Sequence, residues 1–218
     1  MADVFREVDE EVRREQLKKL WERYQYLAYA VVFLVVFGVG GWRVYEWWEA
    51  RRSAEVGTQF EAAINLADSG DHAEAEKAFA RIASEGTSGY RGLARLRQAA
   101  EVAHRDPDAA VASYRQMADD GSFDTPLREL AALRASAILI DKGSYDEARK
   151  LLEPQAEASK TFRHSARELL ALAAWRAGDA TALRRWYGMM LTDPETPPST
   201  RSRVEMLIAL GVAPESKG

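Results

Sequence analysis

The sequence predicts an all-α protein, with a single N-terminal transmembrane helix followed by a helical solenoid of about four helix pairs and a C-terminal capping helix. Three observations predict this class. Nineteen consecutive residues near the start carry no charge. The remainder is rich in alanine, is punctuated by glycine turns and lacks the alternating pattern of β-strands. A motif in that remainder recurs at intervals of 35 to 38 residues.

The first 23 residues predict a short amphipathic helix on the cytoplasmic side. Valines recur at near-helical spacing, and acids precede bases by four residues, as in Asp9 with Arg13 and Glu15 with Lys19. The helix could dock a cytoplasmic partner or remain solvated with weak surface contact.

Residues 24–42, YQYLAYAVVFLVVFGVGGW, are predicted to span the membrane. As a helix they would extend roughly 28 Å, close to the thickness of the hydrocarbon core. The alternative is a cleaved signal peptide. That alternative fits less well, because the preceding residues are long and acidic and bulky rings follow the apolar segment.

Residues 43–58 are predicted to form a membrane-exit helix or linker. Trp47 and Trp48 within it suit the headgroup level, or else pack against the following helix. Six Lys and Arg residues precede the span, whereas three follow it within twenty residues. This asymmetry predicts a cytoplasmic N-terminus and a C-terminal domain on the far side of the membrane.

Composition and motifs argue against several functions. Residues 53–218 carry a net charge of 21 − 25 = −4, so they lack the excess of basic residues that binding to nucleic acid requires. Cysteine is absent, which excludes thiol catalysis and thiolate metal sites. His72, His104 and His164 form no recognisable ligand motif, and the glycine run GVGG lies inside the span. We therefore expect no enzyme activity, catalytic residue, metal, cofactor or small-molecule substrate.

Residues 59–210 are predicted to form the repeat domain, ending in a capping helix from about Thr200 to Leu210, with 211–218 as a flexible tail. In three units a glycine ends one helix, a small or apolar residue follows five positions later, and a large residue comes four positions after that. A fourth unit lacks the glycine, and boundaries between residues 86 and 105 stay open.

The small residues let paired helices approach, and the large ones fill the adjacent groove. The predicted packing residues are Ala75, Phe79, Ala110, Tyr114, Ala148, Leu152, Leu183 and Tyr187. Asp71, Asp106, Ser144 and Asp179 stand where the second helices need N-caps.

These units resemble tetratricopeptide repeats, although the family's early Trp and close-packing Gly are replaced in the first helices. The resemblance implies a protein-binding groove along the inner faces of the first helices. Its implied lining is Phe60, Ile64, Leu96, Leu133, Leu172 and Trp175. Each of these residues could instead belong to the core between repeats. The Lys and Asn pair with which some members clamp a C-terminal carboxylate is missing, which disfavours recognition of acidic tail peptides.

A short N-terminal helix, a span exiting through GGWRVYEWW and a tetratricopeptide-like domain together resemble the bacterial ancillary subunits of the SecYEG translocon. The resemblance implies a single-pass inner-membrane protein with a periplasmic domain. It further implies contact with the translocon and with a membrane-anchored periplasmic chaperone, to which secreted chains are passed. Two alternatives stay open: a self-associating envelope scaffold for cell division or wall assembly, and a solenoid that regulates from the cytoplasm.

Overall fold

The computed structural model describes residues 2–211, with the backbone alone for residues 2–17, 19, 20, 22, 24 and 28. The chain divides into two compact units, Met1–Ala54 and Glu55–Gly218. The described residues form nine α-helices and one 3-10 helix, without a strand, which confirms the all-α prediction. The elements are α1 (Ala2–Asp68), α2 (His72–Glu85), α3 (Ser88–Ala103), α4 (Pro107–Asp119), α5 (Thr125–Asp141), α6 (Tyr145–Leu152), the 3-10 helix (Glu153–Ala156), α7 (Arg163–Arg176), α8 (Ala180–Thr192) and α9 (Pro198–Ala209).

Helix α1 covers residues 2–23 of the first predicted segment and all of the segments 24–42 and 43–58. Neither a proline nor a left-handed glycine breaks it, and the GVGG run stays helical. Within Gln25–Asp68 it contains a window long and apolar enough to cross a membrane, and no residue of that window is buried within the protein. Trp47 and Trp48 are also exposed, and the guanidinium carbons of Arg51 and Arg52 lie 5.5 and 5.7 Å from their respective ring centroids.

The second unit, called the solenoid below, consists of helix pairs in the predicted order. The end of α1 shares a core cluster with α2, and α3 packs with α4, α5 with α6 and α7 with α8, so that four pairs form, with α9 on the last of them. Helix α9 (Pro198–Ala209) lies within two residues of the predicted capping helix, and α3 (Ser88–Ala103) fills the segment whose boundaries the sequence left open. Of the predicted tail, only Gly211 is among the described residues.

Turn chemistry within three of the four pairs follows the sequence motif. Gly70, Gly143 and Gly178 have φ values of 85°, 80° and 76°, which side-chain-bearing residues rarely adopt. The side chains of Asp71, Asp106 and Asp179 each accept a hydrogen bond from the third backbone N–H downstream. Ser144 occupies the N-cap position of α6, but its hydroxyl makes no such bond. A left-handed glycine, a capping aspartate or both therefore mark the turn within each pair.

The solenoid core consists of three clusters of buried residues, and seven of the eight predicted packing residues are buried in them. The exception is Tyr187, which is half-buried and donates its hydroxyl hydrogen to Glu205 Oε1 at 2.8 Å. Its neighbour Trp186 is the buried ring, with 4% of its surface exposed. The difference arises because the last pair packs against α9 rather than against another helix pair.

Overpacking at the small positions tests this register. Ala75 and Ala148 are fully buried, so we expect Ala75→Leu or Ala148→Leu to lower the free energy of unfolding by about 1–3 kcal/mol. The same change at exposed Ala73, on the opposite face of α2, should alter it by less than about 0.5 kcal/mol. Urea unfolding of the fragment 53–218, followed by circular dichroism, measures the difference. Equal stability of the Ala73 and Ala75 variants would show that the helix pairs are in a different register.

Candidate protein-binding groove

An open pocket of about 340 Å³ lies across the first helices of three successive pairs. Phe60 at the end of α1 forms one side, and α3 and α5 form the others. Tyr114 of α4 is the one lining residue from a second helix. The complete lining is Phe60, Leu93, Leu96, Arg97, Ala100, Tyr114, Leu130 and Arg134. The pocket therefore lies on the face where a tetratricopeptide-like solenoid is expected to bind its ligands.

Aromatic packing fixes the apolar part of the pocket. The ring centroid of Phe60 lies 5.3 Å from that of Phe79 and 5.5 Å from that of Tyr90. The Tyr114 hydroxyl donates to the backbone oxygen of Leu96 at 3.3 Å. Burial raises the pKa of Tyr114, so this hydroxyl stays protonated at physiological pH. These side chains are held by the core and offer a preformed apolar surface to a ligand.

Two arginine side chains form the remaining, charged part of the pocket lining. Arg97 of α3 and Arg134 of α5 are both exposed, and no carboxylate among the described residues forms an ion pair with either. Several other arginines of the solenoid do have acidic partners, as Arg105 has Glu76 and Arg115 has Glu147. The pocket thus combines an apolar floor with two uncompensated guanidinium groups, which suits a segment carrying both apolar side chains and a carboxylate.

The structure brings two of the six predicted groove residues, Phe60 and Leu96, to this pocket. Ile64 packs against the core of the first pair, and Leu133 is buried with 5% exposure. Leu172 and Trp175 pack against the core of the last two pairs, and the Trp175 indole N–H donates to the Gly211 oxygen. The groove residues that sequence reasoning missed are Leu93, Arg97, Ala100, Leu130 and Arg134. Their three- and four-residue spacing along α3 and α5 was the available signal.

Two of the three histidines meet, although no sequence motif joins them. The rings of His72 and His104 stack with centroids 3.7 Å apart, and His72 Nδ1 lies 2.7 Å from Glu101 Oε2. His164 lies instead beside Asp193 and Glu195, and burial lowers its pKa. Proximity of these groups was not evident from the sequence because the partners come from different helices.

Comparison with known proteins agrees with this architecture. The model of the tetratricopeptide repeat-like domain family matches residues 18–195. The chain is also similar to a protein of Haemophilus influenzae named ancillary SecYEG translocon subunit, with 25% identity over 141 residues, 65% of this chain and 69% of that protein. No solved structure matches the chain.

Proposed function

We propose that this chain, which belongs to the tetratricopeptide repeat-like domain family, is a membrane-anchored, non-catalytic protein. Its solenoid binds other polypeptides. The open apolar pocket across three helix pairs is the observation that carries this proposal. The pocket is large enough for a few side chains of a ligand but not for the surface of a folded protein. Its ligand is therefore an exposed segment of a polypeptide, bound through anchoring side chains.

The secretion channel is the proposed place of action. A relative bears the name of an ancillary subunit of the SecYEG translocon, and α1 supplies a segment of suitable length and apolarity to lie in the same bilayer. The excess of Lys and Arg before this segment supports a cytoplasmic N-terminus and a periplasmic solenoid. In this position the pocket could receive chains leaving the channel and pass them to a membrane-anchored periplasmic chaperone.

Photocrosslinking from the pocket tests polypeptide binding. Leu93 in the pocket and Leu191 on α8 are leucines of nearly equal exposure, 46% and 48%. A photoreactive amino acid at position 93 should crosslink to secreted chains or a periplasmic chaperone in native membranes, and one at position 191 should not. Equal labelling from both positions would refute the pocket as the binding site. Crosslinks from position 93 to a second copy of this chain would favour the self-associating scaffold instead.

Three further measurements test the membrane placement. Alkaline carbonate should leave the protein in the membrane fraction, and release by carbonate would rule out the anchor. A reporter fused after Gly218 should be active on the periplasmic side; cytoplasmic activity would reverse the orientation.

Photocrosslinkers at Val35 or Phe37, both exposed on α1, should label a channel subunit. Labelling of lipid alone would argue against a place beside the channel.

Reversing the pocket charges should weaken ligand capture. We expect the double variant Arg97→Glu, Arg134→Glu to reduce crosslinking from position 93 by about tenfold, because an acidic ligand segment would then meet like charge. Arg91→Glu, an exposed change on α3 outside the pocket, serves as the control and should have little effect. Equal crosslinking in the double variant and the control would show that the two guanidinium groups do not recognise the ligand.

A further inference from the structure

We propose that His72, Glu101 and His104 form a site for one zinc ion. His72 is the first residue of α2, and Glu101 and His104 lie at the end of α3. One potential ligand atom from each of the three lies within 4.8 Å of the others. The site does not involve the pocket residues, so it stands independently of the proposed binding function.

The state of Glu101 is the strongest argument for a cation. Only 6% of this residue is exposed, and its one ionic contact among the described residues is with His72. Arg97 and Arg105 each lie four positions from Glu101 along the chain, but neither forms an ion pair with it, and Arg105 pairs instead with Glu76. Burial of a carboxylate costs free energy unless the group gains hydrogen-bond donors or a nearby positive charge. A divalent ion held between Glu101 and the two rings would supply that charge.

The donor set fits zinc. Two imidazole nitrogens and one carboxylate oxygen are ligands that zinc takes at about 2.0–2.2 Å. Tetrahedral geometry at those bond lengths puts ligand atoms about 3.4 Å apart, so His72 Nδ1 and Glu101 Oε2, now 2.7 Å apart, must separate by roughly 0.7 Å to hold the ion between them. The exposed His104 and the half-buried His72 can turn to do this, separating their stacked rings. Solvent reaches both rings, which gives the ion access and leaves a fourth position for water.

The second group of His and acidic residues, His164 with Asp193 and Glu195, differs because its carboxylates already have positively charged partners. Asp193, beside His164, already accepts hydrogen bonds from Arg163 and Arg167 at 2.9 and 2.8 Å. Glu195 of that group pairs with Arg163 as well. Guanidinium groups therefore neutralise the carboxylates there, whereas no guanidinium among the described residues pairs with Glu101. His164 consequently provides a matched control for the zinc site.

Zinc at this place would tie the start of α2 to the end of α3. These helices belong to successive pairs, the first of which carries Phe60 and the second Leu96. Zinc binding should therefore stabilise the junction between the first two pairs against heat.

Zinc titration of the full chain, in detergent micelles and without a polyhistidine tag, tests the proposal. We expect one zinc ion per chain by elemental analysis after gel filtration, and a melting temperature that rises with zinc. His72→Gln and His104→Gln should each weaken zinc binding at least about 100-fold, more than the loss of an outer partner would. Glu101→Gln, which removes the charge and keeps the shape, should also abolish the zinc-dependent rise. Circular dichroism confirms that each variant is folded.

His164→Gln should bind zinc as the wild type does. Cobalt provides a second probe: visible absorption bands of tetrahedral cobalt should appear with the wild type and be absent in the double variant His72→Gln, His104→Gln. Failure of the wild type to bind zinc in a defined ratio would overturn the proposal. Zinc binding that survives in the double variant would equally overturn it, since the ion would then be held elsewhere.

Discussion

Replacing Phe79 by alanine is expected to lower the free energy of unfolding of the solenoid by about 3–5 kcal/mol. Phe79 is completely buried in α2, in the core that joins the first two helix pairs. Its removal forfeits the transfer free energy of the ring and leaves a cavity that rigid helix pairs fill only in part. The loss also extends to the pocket, because the ring of Phe60 rests edge-on against that of Phe79.

Two measurements follow from this coupling. Urea unfolding of the fragment 53–218 should show the full loss for Phe79→Ala, whereas the exposed control Leu191→Ala should change stability by less than about 0.5 kcal/mol. Crosslinking from position 93 in the full chain should fall in the Phe79 variant, although residue 93 itself is unchanged. A loss below 1 kcal/mol, or undiminished crosslinking, would show that the first pair does not support the pocket.

Local sequence was sufficient to predict the helix pairs, because the signals that form them are local. A glycine at positive φ, an acidic N-cap, a small residue and a large one recur within a dozen residues, and each has a short-range physical cause. Ala75, Ala148 and Leu152, which stand at the recurring offsets, are fully buried. Tyr187 departs from the pattern because its neighbour is the capping helix, which the repeat motif does not describe.

Contacts between successive pairs were not predictable in the same way. The ion pairs Arg105 with Glu76 and Arg115 with Glu147 join successive pairs across 29 and 32 positions, so no short window contains both partners. Arg203 joins α9 to Glu168 of the last pair across 35 positions. The same holds for His72 and Glu101, 29 positions apart.

The predicted groove lining differs from the pocket lining for a related reason. Which residues of a first helix face the pocket depends on how that helix is rotated in the stack, and the second unit lacks the glycine that would have fixed its position. Leu93, Arg97 and Ala100 therefore line the pocket, whereas only Leu96 was predicted from α3.

Replacing Asp193 by alanine is expected to destabilise the last helix pair by about 3–5 kcal/mol. Asp193 Oδ2 accepts hydrogen bonds from Arg163 Nε at 2.9 Å and from Arg167 Nη1 at 2.8 Å, and its Oδ1 accepts from the Glu195 N–H at 3.1 Å. Only 3% of Arg167 is exposed, and its other hydrogen bond goes to the uncharged backbone oxygen of Ala156. The variant therefore leaves a buried guanidinium without its counter-charge.

The pH dependence of stability gives a second signature of the same group. Hydrogen bonds from Arg163, with those from Arg167 and the Glu195 N–H, hold the pKa of Asp193 far below its usual value. The folded state therefore binds this proton less readily than the unfolded state, whose Asp has a pKa of about 3.9. The stabilisation by Asp193 is complete above that pKa and is lost as the pH falls below it toward the folded-state pKa.

We thus expect wild-type stability, measured by urea unfolding between pH 6 and pH 2.5, to fall more steeply below pH 4 than that of Asp193→Ala. Glu195→Ala is the matched control, because Glu195 is exposed and also pairs with Arg163, yet the buried Arg167 keeps its partner. The control should retain nearly all the stability at pH 7 and most of the acid sensitivity. If both variants were equally stable at pH 7, Arg167 would not depend on Asp193 for its charge compensation.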